Sequence, residues 1–416
     1  MSCRNSADPA SGILRNQSQV GCAGGEIAVA NQIKPAERPT RLERLQVFNE
    51  VTFLGGGETE CEDLVIVVND RAGDAFPDVG RRRYARYTLS RVMSLDRRIS
   101  VAPMMDWTDR HCRYFLRLFS PRLLLYTEMI VAQAVVRNDR RYLLEFDTEE
   151  HPVALQLGGA DPGLLAEAAA VGASFGYDEI NLNVGCPSDR VRQATFGACL
   201  MARPRLVADC VRAMRAAVAV PVTVKCRIGI DDHDDWAFLR DFVAAIADAG
   251  CDVVIVHARK AILKGLSPKQ NREVPPLDYS RAWRVKEDFP AMTVVVNGGL
   301  RTVPQVTEQL EHADGVMLGR EAYHNPYLLP AMHGAIYADG FTMPLAEEIV
   351  QSMRGYAERE TKKGTPLRSI TRHMLGLFNG RAGARAWRHA LSEGVNRNNA
   401  SPALIEDALR AANFPA

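Results

Sequence analysis

The chain has 416 residues, which is enough for two to four domains or for one large barrel with additions. Its composition, 47% hydrophobic and 24% charged, excludes disordered, collagen-like and coiled-coil proteins. No apolar stretch approaches the roughly 18 residues of a membrane-spanning helix, and the nine cysteines are scattered through apolar segments, so we expect a cytoplasmic protein without a membrane span.

Residues 1–92 differ in character from the rest of the chain. They contain polar stretches, glycine pairs and triplets and a basic cluster, with a single convincing apolar run from Leu64 to Val68. A segment of this composition buries little apolar surface, so we expect a disordered extension or a loosely attached appendage without function. The alternative is that translation begins at Met93 and the segment is not made.

From residue 97 onwards, short β-branched runs alternate with longer Ala-rich stretches of helical period. Eight such runs occur: Ile99 to Met104, Leu123 to Glu128, Pro152 to Leu157, Glu179 to Val184, Pro221 to Arg227, Asp252 to Ala258, Met292 to Gly299 and Gly315 to Arg320. This alternation is typical of βα units, and eight units over about 250 residues predict an α/β fold, a TIM (β/α)8 barrel over residues 97–335. The alternative, a doubly wound open sheet, usually carries a G-x-G-x-x-G turn after its first strand, and Ala102 to Asp106 contains none.

No further strand is evident after Ala331, and the pattern becomes helical from Leu345 to Tyr356 and from Ser369 to Leu377. We therefore predict a small α-helical domain over residues 341–416.

A basic stretch lies inside the predicted helical domain. Between Thr361 and Ala390 there are seven basic residues and no acid, with Phe378 and Trp387 interleaved. The basic residues are Lys362, Lys363, Arg368, Arg372, Arg381, Arg385 and Arg388. Such a patch is the electrostatic footprint of nucleic-acid binding, although a solvated helix face more often explains a charge run. The chain as a whole is nearly neutral, with 51 basic and 50 acidic residues, so only this local excess favours a polyanionic partner.

Polar side chains close several of the predicted strands. In a TIM barrel the active site is built at the C-terminal ends of the strands. The strand-end residues are Gln156, Asn183, Lys225, Arg227 and His257. Because side chains alternate along a strand, Lys225 and Arg227 share one face and Cys226 takes the other. Any one of these residues could be a satisfied structural residue, but together they predict a converging ligand site.

The seventh and eighth runs end in glycine. Asn297-Gly298-Gly299 closes the seventh, and Gly319-Arg320 follows the eighth. Loops after these two strands are the usual phosphate site of the fold, and glycine lets backbone N–H groups approach phosphate oxygens. Tight turns are the simpler explanation for each glycine. Because glycine-containing ends follow both of the strands that usually form the phosphate site, they predict a phosphorylated ligand.

Two cysteines, Cys186 and Cys199, follow the fourth run. They lie thirteen residues apart without a companion ligand at metal-binding spacing, so no metal site is predicted. A loop cysteine at a catalytic face can act as an acid or a nucleophile, and spacing alone does not choose between the two.

Taken in order, several segments resemble the tRNA-dihydrouridine synthases, most closely their A-type branch. The resembling segments are Ser100 to Phe115, Asn181 to Arg190, Phe196 to Met201, His257 to Ala261, Lys264 to Lys269, Asn271 to Tyr279 and Thr371 to Phe378. The resemblance covers about residues 97–393. It implies reduction of the C5=C6 bond of uridine in the tRNA D-loop, at positions 20 and 20a, by FMN that NADPH reduces.

The resemblance also implies roles for individual residues. The FMN-binding residues would be Pro103, Met104, Met105, Gln156, Lys225, His257, Asn297, Gly298, Gly299, Gly319 and Arg320. Lys225 would stabilise the reduced flavin. Cys199 would be the general acid that protonates C5, leaving Cys186 structural, and Asn183 and Arg227 are candidates for holding the uracil edge.

The implied RNA partner requires basic contacts around the predicted site. The candidates are Arg190, Arg192, Lys264, Lys269 and Arg272 at the barrel mouth and Arg372, Arg385 and Arg388 in the helical domain. Phosphate contacts would supply affinity, and tRNA shape would select the uridine. We expect a monomer, because the partner is large.

Two other functions stay open at this point. One is an FMN barrel that reduces a free small molecule, such as a dihydroorotate oxidase, but such an enzyme has no use for the basic stretch. The other is an RNA-binding protein on an inactive barrel, against which the intact Cys199, Lys225 and His257 argue.

Overall fold

The computed structural model describes residues 63–66, 85–88, 95–137, 141–397 and 400–412. The chain divides into two compact units, Met1–Ser94 and Leu95–Ala416. In the first unit, β1 (Asp63–Ile66) pairs antiparallel with β2 (Ala85–Thr88). The apolar run from Leu64 to Val68 overlaps β1, whereas Met93 and most of residues 1–92 lie outside the described residues.

In the second unit, eight parallel strands close into a barrel, which confirms the predicted TIM-barrel fold. In chain order they are β3 (Ile99–Val101), β4 (Leu124–Val131), β5 (Val153–Gly158), β6 (Glu179–Val184), β7 (Val222–Arg227), β8 (Val253–His257), β9 (Thr293–Asn297) and β10 (Gly315–Leu318). Each strand overlaps one predicted run, and β4 extends to Val131, beyond the predicted Glu128. β3 ends before the predicted Met104 because Pro103 has no N–H group to continue the ladder.

Helices surround the barrel. They are α1 (Arg110–Arg117), α2 (Ala132–Arg137), α3 (Pro162–Phe175), α4 (Asp189–Gln193), α5 (Pro204–Ala217), α6 (Trp236–Asp248), α7 (Tyr279–Asp288), α8 (Val303–Leu310), α9 (Arg320–His324) and α10 (Leu328–Ile336). Local sequence defines their ends. The carboxylate of Asp161 accepts from the Leu164 N–H at the start of α3, and Gly176, at φ 96°, ends that helix in the left-handed region.

The strands present different side chains to the barrel interior and to the helices. Ile180, Leu182 and Val184 of β6 belong to the core that packs against the helices. The alternate residues Glu179 and Asn181, and Asn183 beyond them, therefore point into the barrel, where they are buried. The barrel interior thus contains a polar column along β6, although the neighbouring interior positions form an apolar cluster.

In the described residues after the barrel, the α-helices are α11 (Ala346–Lys362), α12 (Leu367–Thr371), α13 (Ala384–Gly394) and α14 (Leu404–Ala411). Tyr356 of α11 stacks on Tyr114 of α1, with ring centroids 3.9 Å apart. Phe378 and Trp387 are buried in the core that these helices share with the barrel, and Trp387 Nε1 donates to the Met374 carbonyl at 2.9 Å. The two aromatic residues interleaved in the basic stretch therefore belong to the core rather than to the exposed surface. Among the described residues, none of the helices combines the length and apolarity that crossing a membrane requires.

Candidate active site

A cavity of about 870 Å³ opens at the C-terminal ends of the barrel strands. All eleven residues predicted to bind the cofactor line it, as do Asn183, Arg227 and Arg272. The eleven are Pro103, Met104, Met105, Gln156, Lys225, His257, Asn297, Gly298, Gly299, Gly319 and Arg320. Residues at the ends of β3 and of β5 to β10 therefore meet around one space, while their individual roles stay predictions.

Lys225 is the cation at the end of β7. Its Nζ donates to Asn297 Oδ1 at 3.0 Å, and Asn297 Nδ2 in turn donates to the Met317 carbonyl at 2.7 Å. Burial, together with the charge of Arg227, lowers the pKa of Lys225 to about 7. No carboxylate forms an ion pair with Lys225 among the ion pairs of the described residues, so the cavity contains a cation that lacks a counter-ion.

Two further nitrogen-bearing residues adjoin Lys225. Arg227 Nε donates to the Gly185 carbonyl at 3.1 Å, and its Nη1 donates to the Asn271 carbonyl at 3.0 Å. Burial lowers the pKa of Arg227 to about 10. Burial and the neighbouring cations Arg227 and Lys225 hold the pKa of His257 well below its usual range, so this imidazole is neutral at pH 7.

The glycine-rich side of the cavity follows β9 and β10. Gly298 has φ 123°, and a Cβ there would lie 2.8 Å from His257 Cδ2, so no other residue fits without a shift. Arg320 Nη1 lies 2.7 Å from Glu273 Oε1. The sequence prediction missed Arg259 and Arg301, which also line this cavity and lie in the loops after β8 and β9. The Nε of Arg259 is buried without a hydrogen-bond partner, which suits a site for an anion.

Two side-chain amides lie at the base of the cavity. Asn183 Nδ2 donates to Gln156 Oε1 at 2.7 Å. Asn183 Oδ1 accepts from the backbone N–H groups of Gly185 and Cys186 at 3.1 and 3.0 Å. Asn183 therefore connects β5 to the loop that begins at Gly185.

Of the two cysteines in that loop region, Cys186 lines the cavity and Cys199 does not. Cys199 lies in a 3-10 helix, Gly197–Ala202, where its thiol donates to the Phe196 carbonyl at 3.2 Å and burial raises its pKa. Gly197 has φ 78°, and a Cβ there would lie 2.6 Å from the Cys186 carbonyl oxygen. The 3-10 helix that contains Cys199 therefore packs against the loop at Cys186, and this close approach requires a glycine at position 197.

The residues predicted to contact RNA differ in their exposure to solvent. Lys264, Lys269, Arg272, Arg372, Arg385 and Arg388 are exposed, and Arg192 is half-buried. The side chain of Arg190 lies outside the described residues. Arg372 Nη2 lies 2.5 Å from Asp109 Oδ2, Arg388 Nη1 donates to Asn379 Oδ1 at 2.9 Å, and Arg192 pairs with Asp189.

Within the described part of the chain, no group of three or more metal-ligating side chains could hold a metal ion.

The sequence is similar to that of a known enzyme family over most of its length. Residues 100–413 match the family described as dihydrouridine synthase. The chain is 55% identical over 314 residues to the tRNA-dihydrouridine(20/20a) synthases of Salmonella typhi and of Escherichia coli strain K12. These alignments cover 75% of this chain and 94% and 91% of the two relatives. The enzyme of the same name from Vibrio cholerae is 54% identical over 313 residues, which is 95% of its length.

Proposed function

Since this chain belongs to the dihydrouridine synthase family, we propose that it reduces uridine to 5,6-dihydrouridine in tRNA, using FMN as cofactor and NADPH as reductant. The proposed targets are positions 20 and 20a of the D-loop. The relatives named above carry these positions in their names, and the alignments cover nearly their whole length. The observation that carries the proposal is a cavity of buried cations at the strand ends, within the segment that matches the family.

The cavity fits FMN by the chemistry of its lining. Lys225, which forms no ion pair among the described residues, and the unsatisfied Nε of Arg259 are suited to an anionic ligand. Gly298 and Gly299 leave their backbone open to a phosphate, with Arg320 beside them. FMN, once reduced by NADPH, would supply the hydride for the uracil ring.

The remaining residues would hold the ligands around this cavity. The apolar side chains of Pro103, Met104 and Met105 would cover one part of the flavin, and Gln156 and the neutral His257 would hydrogen-bond its polar atoms. Lys225 would hold a proton, and hence a positive charge, next to the anionic reduced cofactor. Asn183 and Arg227 would orient the uracil edge.

The general acid is better assigned to Cys186 than to Cys199. An acid must come within hydrogen-bond reach of the atom that it protonates, and Cys186 is the one of the two thiols at the cavity. The Cys199 thiol donates a hydrogen bond to the Phe196 carbonyl. The 3-10 helix that contains Cys199 packs against the Cys186 backbone. We therefore propose that the Cys186 thiol delivers the proton to C5 of uracil.

A uracil within a folded tRNA can reach this cavity only after it leaves its stack, and enzymes that act on bases commonly extrude them. We propose that the exposed Arg385 and Arg388 contact the tRNA backbone from the helical domain. Lys264, Lys269 and Arg272, with Arg190 and Arg192, would contact it at the cavity rim. Such phosphate contacts would give salt-dependent affinity for tRNA, but they would not select which uridine is reduced.

The direct test is to incubate unmodified tRNA transcripts with the purified protein, FMN and NADPH. Nucleoside mass spectrometry with position mapping should then find dihydrouridine at positions 20 and 20a. NADPH oxidation with bound flavin but no modified nucleoside would instead favour reduction of a free small molecule. A protein that binds tRNA but never becomes yellow with flavin would favour an inactive RNA-binding barrel.

A further inference from the structure

The polar column inside the barrel is the feature that neither the family nor the predicted site explains. Glu179 and Thr223 lie deep in the barrel, away from the cavity lining, and both are completely buried. Strand pairing brings Gln156 of β5 opposite Asn181 of β6, and Asn181 opposite Thr223 of β7. Buried polar groups of this kind are costly unless every one of them is hydrogen-bonded.

Hydrogen bonds join these side chains into one chain. It begins at Glu179, whose Oε2 accepts from Arg97 Nη2 at 2.6 Å and whose Oε1 accepts from Thr223 Oγ1 at 2.6 Å. Asn181 Nδ2 donates to Thr223 Oγ1 at 2.8 Å, and Gln156 Nε2 donates to Asn181 Oδ1 at 2.8 Å. We call the series Glu179, Thr223, Asn181, Gln156 and Asn183 the amide relay.

The two ends of the amide relay impose the same direction on it. The ion-paired carboxylate of Glu179 can only accept, so the Thr223 hydroxyl must donate to it and accept from the Asn181 amide. At the other end, the backbone N–H groups of Gly185 and Cys186 can only donate, so Asn183 must turn its Oδ1 to them. Each amide between these ends then has a single satisfying orientation.

We propose that Glu179 and Thr223 are positioning residues that set the orientation of the Gln156 amide at the cavity and hold the loop that carries Cys186. This inference rests on the proposed function only for the identity of the ligand, since the relay itself lies within the barrel. Without the Thr223 hydroxyl, Asn181 Nδ2 loses its acceptor and the link from Gln156 to Glu179 is broken. The Gln156 amide would then be held from one end only, by Asn183, and its position at the cavity would be less well fixed.

Thr223→Val tests the relay, because valine keeps the volume and shape of threonine and removes the hydroxyl. We expect the FMN dissociation constant of the flavin-stripped full chain, measured by fluorescence quenching, to rise about tenfold. We also expect faster alkylation of Cys186 by iodoacetamide, followed by peptide mass spectrometry. Thr223→Ser restores the hydroxyl and should bring both values to within about twofold of the wild type.

A matched control separates positioning from general loss of stability. Ser100→Ala removes another buried barrel hydroxyl, one that donates to the Val316 carbonyl at 3.1 Å outside the relay. This variant should bind FMN like the wild type even where its melting temperature falls. Equal losses of FMN affinity in Thr223→Val and Ser100→Ala, or wild-type values in Thr223→Val, would overturn the proposal. Should Thr223→Val fail to fold, Thr223→Ala provides the same comparison.

The relay and the proposed function fail in different ways. If wild-type protein forms no dihydrouridine but Thr223→Val alone loses FMN affinity and Thr223→Ser recovers it, the relay stands and the reaction is wrong. If wild-type protein forms dihydrouridine and Thr223→Val binds FMN and reacts with iodoacetamide as before, the reaction stands and the relay falls.

Discussion

The cations of the barrel cavity and those of the C-terminal helices have the same side chains but different surroundings. Arg227 is buried and Lys225 is half-buried in the cavity wall, and their partial removal from water lowers the pKa of both. Between Thr361 and Ala390 all seven basic residues are exposed to solvent, and their charge is distributed over a surface. A run of basic residues is visible in the sequence, whereas a buried cation is recognised only by what encloses it.

The difference implies two kinds of binding. A desolvated cation acts on a ligand through a low dielectric, so that the interaction is strong, local and little affected by salt. Exposed cations act together on a polyanion, and counterion release makes their affinity depend steeply on salt. This difference supports the proposal that the cavity carries chemistry and cofactor binding and that the helical surface contributes RNA affinity.

The largest effect should follow from removing the thiol at the cavity. Cys186→Ala is expected to lower the rate of dihydrouridine formation by about 100-fold or more, since a positioned general acid contributes this much. FMN binding should persist, as judged by the absorption spectrum. Cys199→Ala, which lies behind the loop, is the matched control and should stay near the wild-type rate. An inactive Cys199→Ala beside an active Cys186→Ala would return the acid role to Cys199.

Removing the buried cation should have the next largest effect. Lys225→Met keeps the aliphatic chain but loses the charge, and we expect the FMN dissociation constant to rise about 30-fold, the value for a lost charged hydrogen bond. The loss should be nearly independent of salt. Lys362→Met removes an exposed lysine from the helical surface, and equilibrium dialysis should find no change. A similar loss in both variants would contradict the distinction between the two regions.

The helical surface should give a smaller and salt-dependent effect. Replacing Arg385 and Arg388 together by Gln should weaken tRNA binding about tenfold at low salt. The slope of the logarithm of the association constant against the logarithm of salt concentration should become shallower by about 1.5. NADPH oxidation by the bound flavin should be unaffected. The control replaces Arg212 and Arg240, which are exposed on α5 and α6. If binding curves at several salt concentrations are unchanged in the Arg385 and Arg388 variant, the stretch is only solvated surface.

The smallest effect is the pH dependence of FMN affinity. With a pKa of about 7, Lys225 is charged below pH 7 and neutral above it in the free protein. An anionic ligand favours the charged form, so binding takes up a proton above pH 7 and affinity falls as pH rises. We expect the dissociation constant to increase about fivefold from pH 7 to 8, measured by fluorescence titration.

The same titration has an internal control. His257 is neutral throughout this range, and Arg227, with a pKa of about 10, stays charged. Lys225→Met should therefore show a flat dependence, and a slope that persists in this variant would mean that another group takes up the proton.

Much of the fold could be predicted because hydrophobic periodicity is local. Each of the eight predicted runs corresponds to a barrel strand, and the rule that active sites form at strand ends brought Gln156, Lys225 and His257 into consideration. At β3 the apolar pattern continues to Met104, but the strand ends earlier because Pro103 has no N–H group for the ladder. The burial of Phe378 and Trp387 was not predictable from the basic stretch, because a basic surrounding sequence does not reveal which face of a helix is buried.

The sequence by itself determined the order of the βα units, the candidate strand-end residues and the acid-free basic stretch, since each depends on neighbours along the chain. Only the tertiary structure decided that Cys186 rather than Cys199 lies at the cavity. It also decided that Lys225 has no counter-ion within the described part of the chain, and that Glu179 and Thr223 belong to one hydrogen-bonded column with Gln156. These properties depend on which strands close against each other in the barrel, and that proximity leaves no trace in residue spacing.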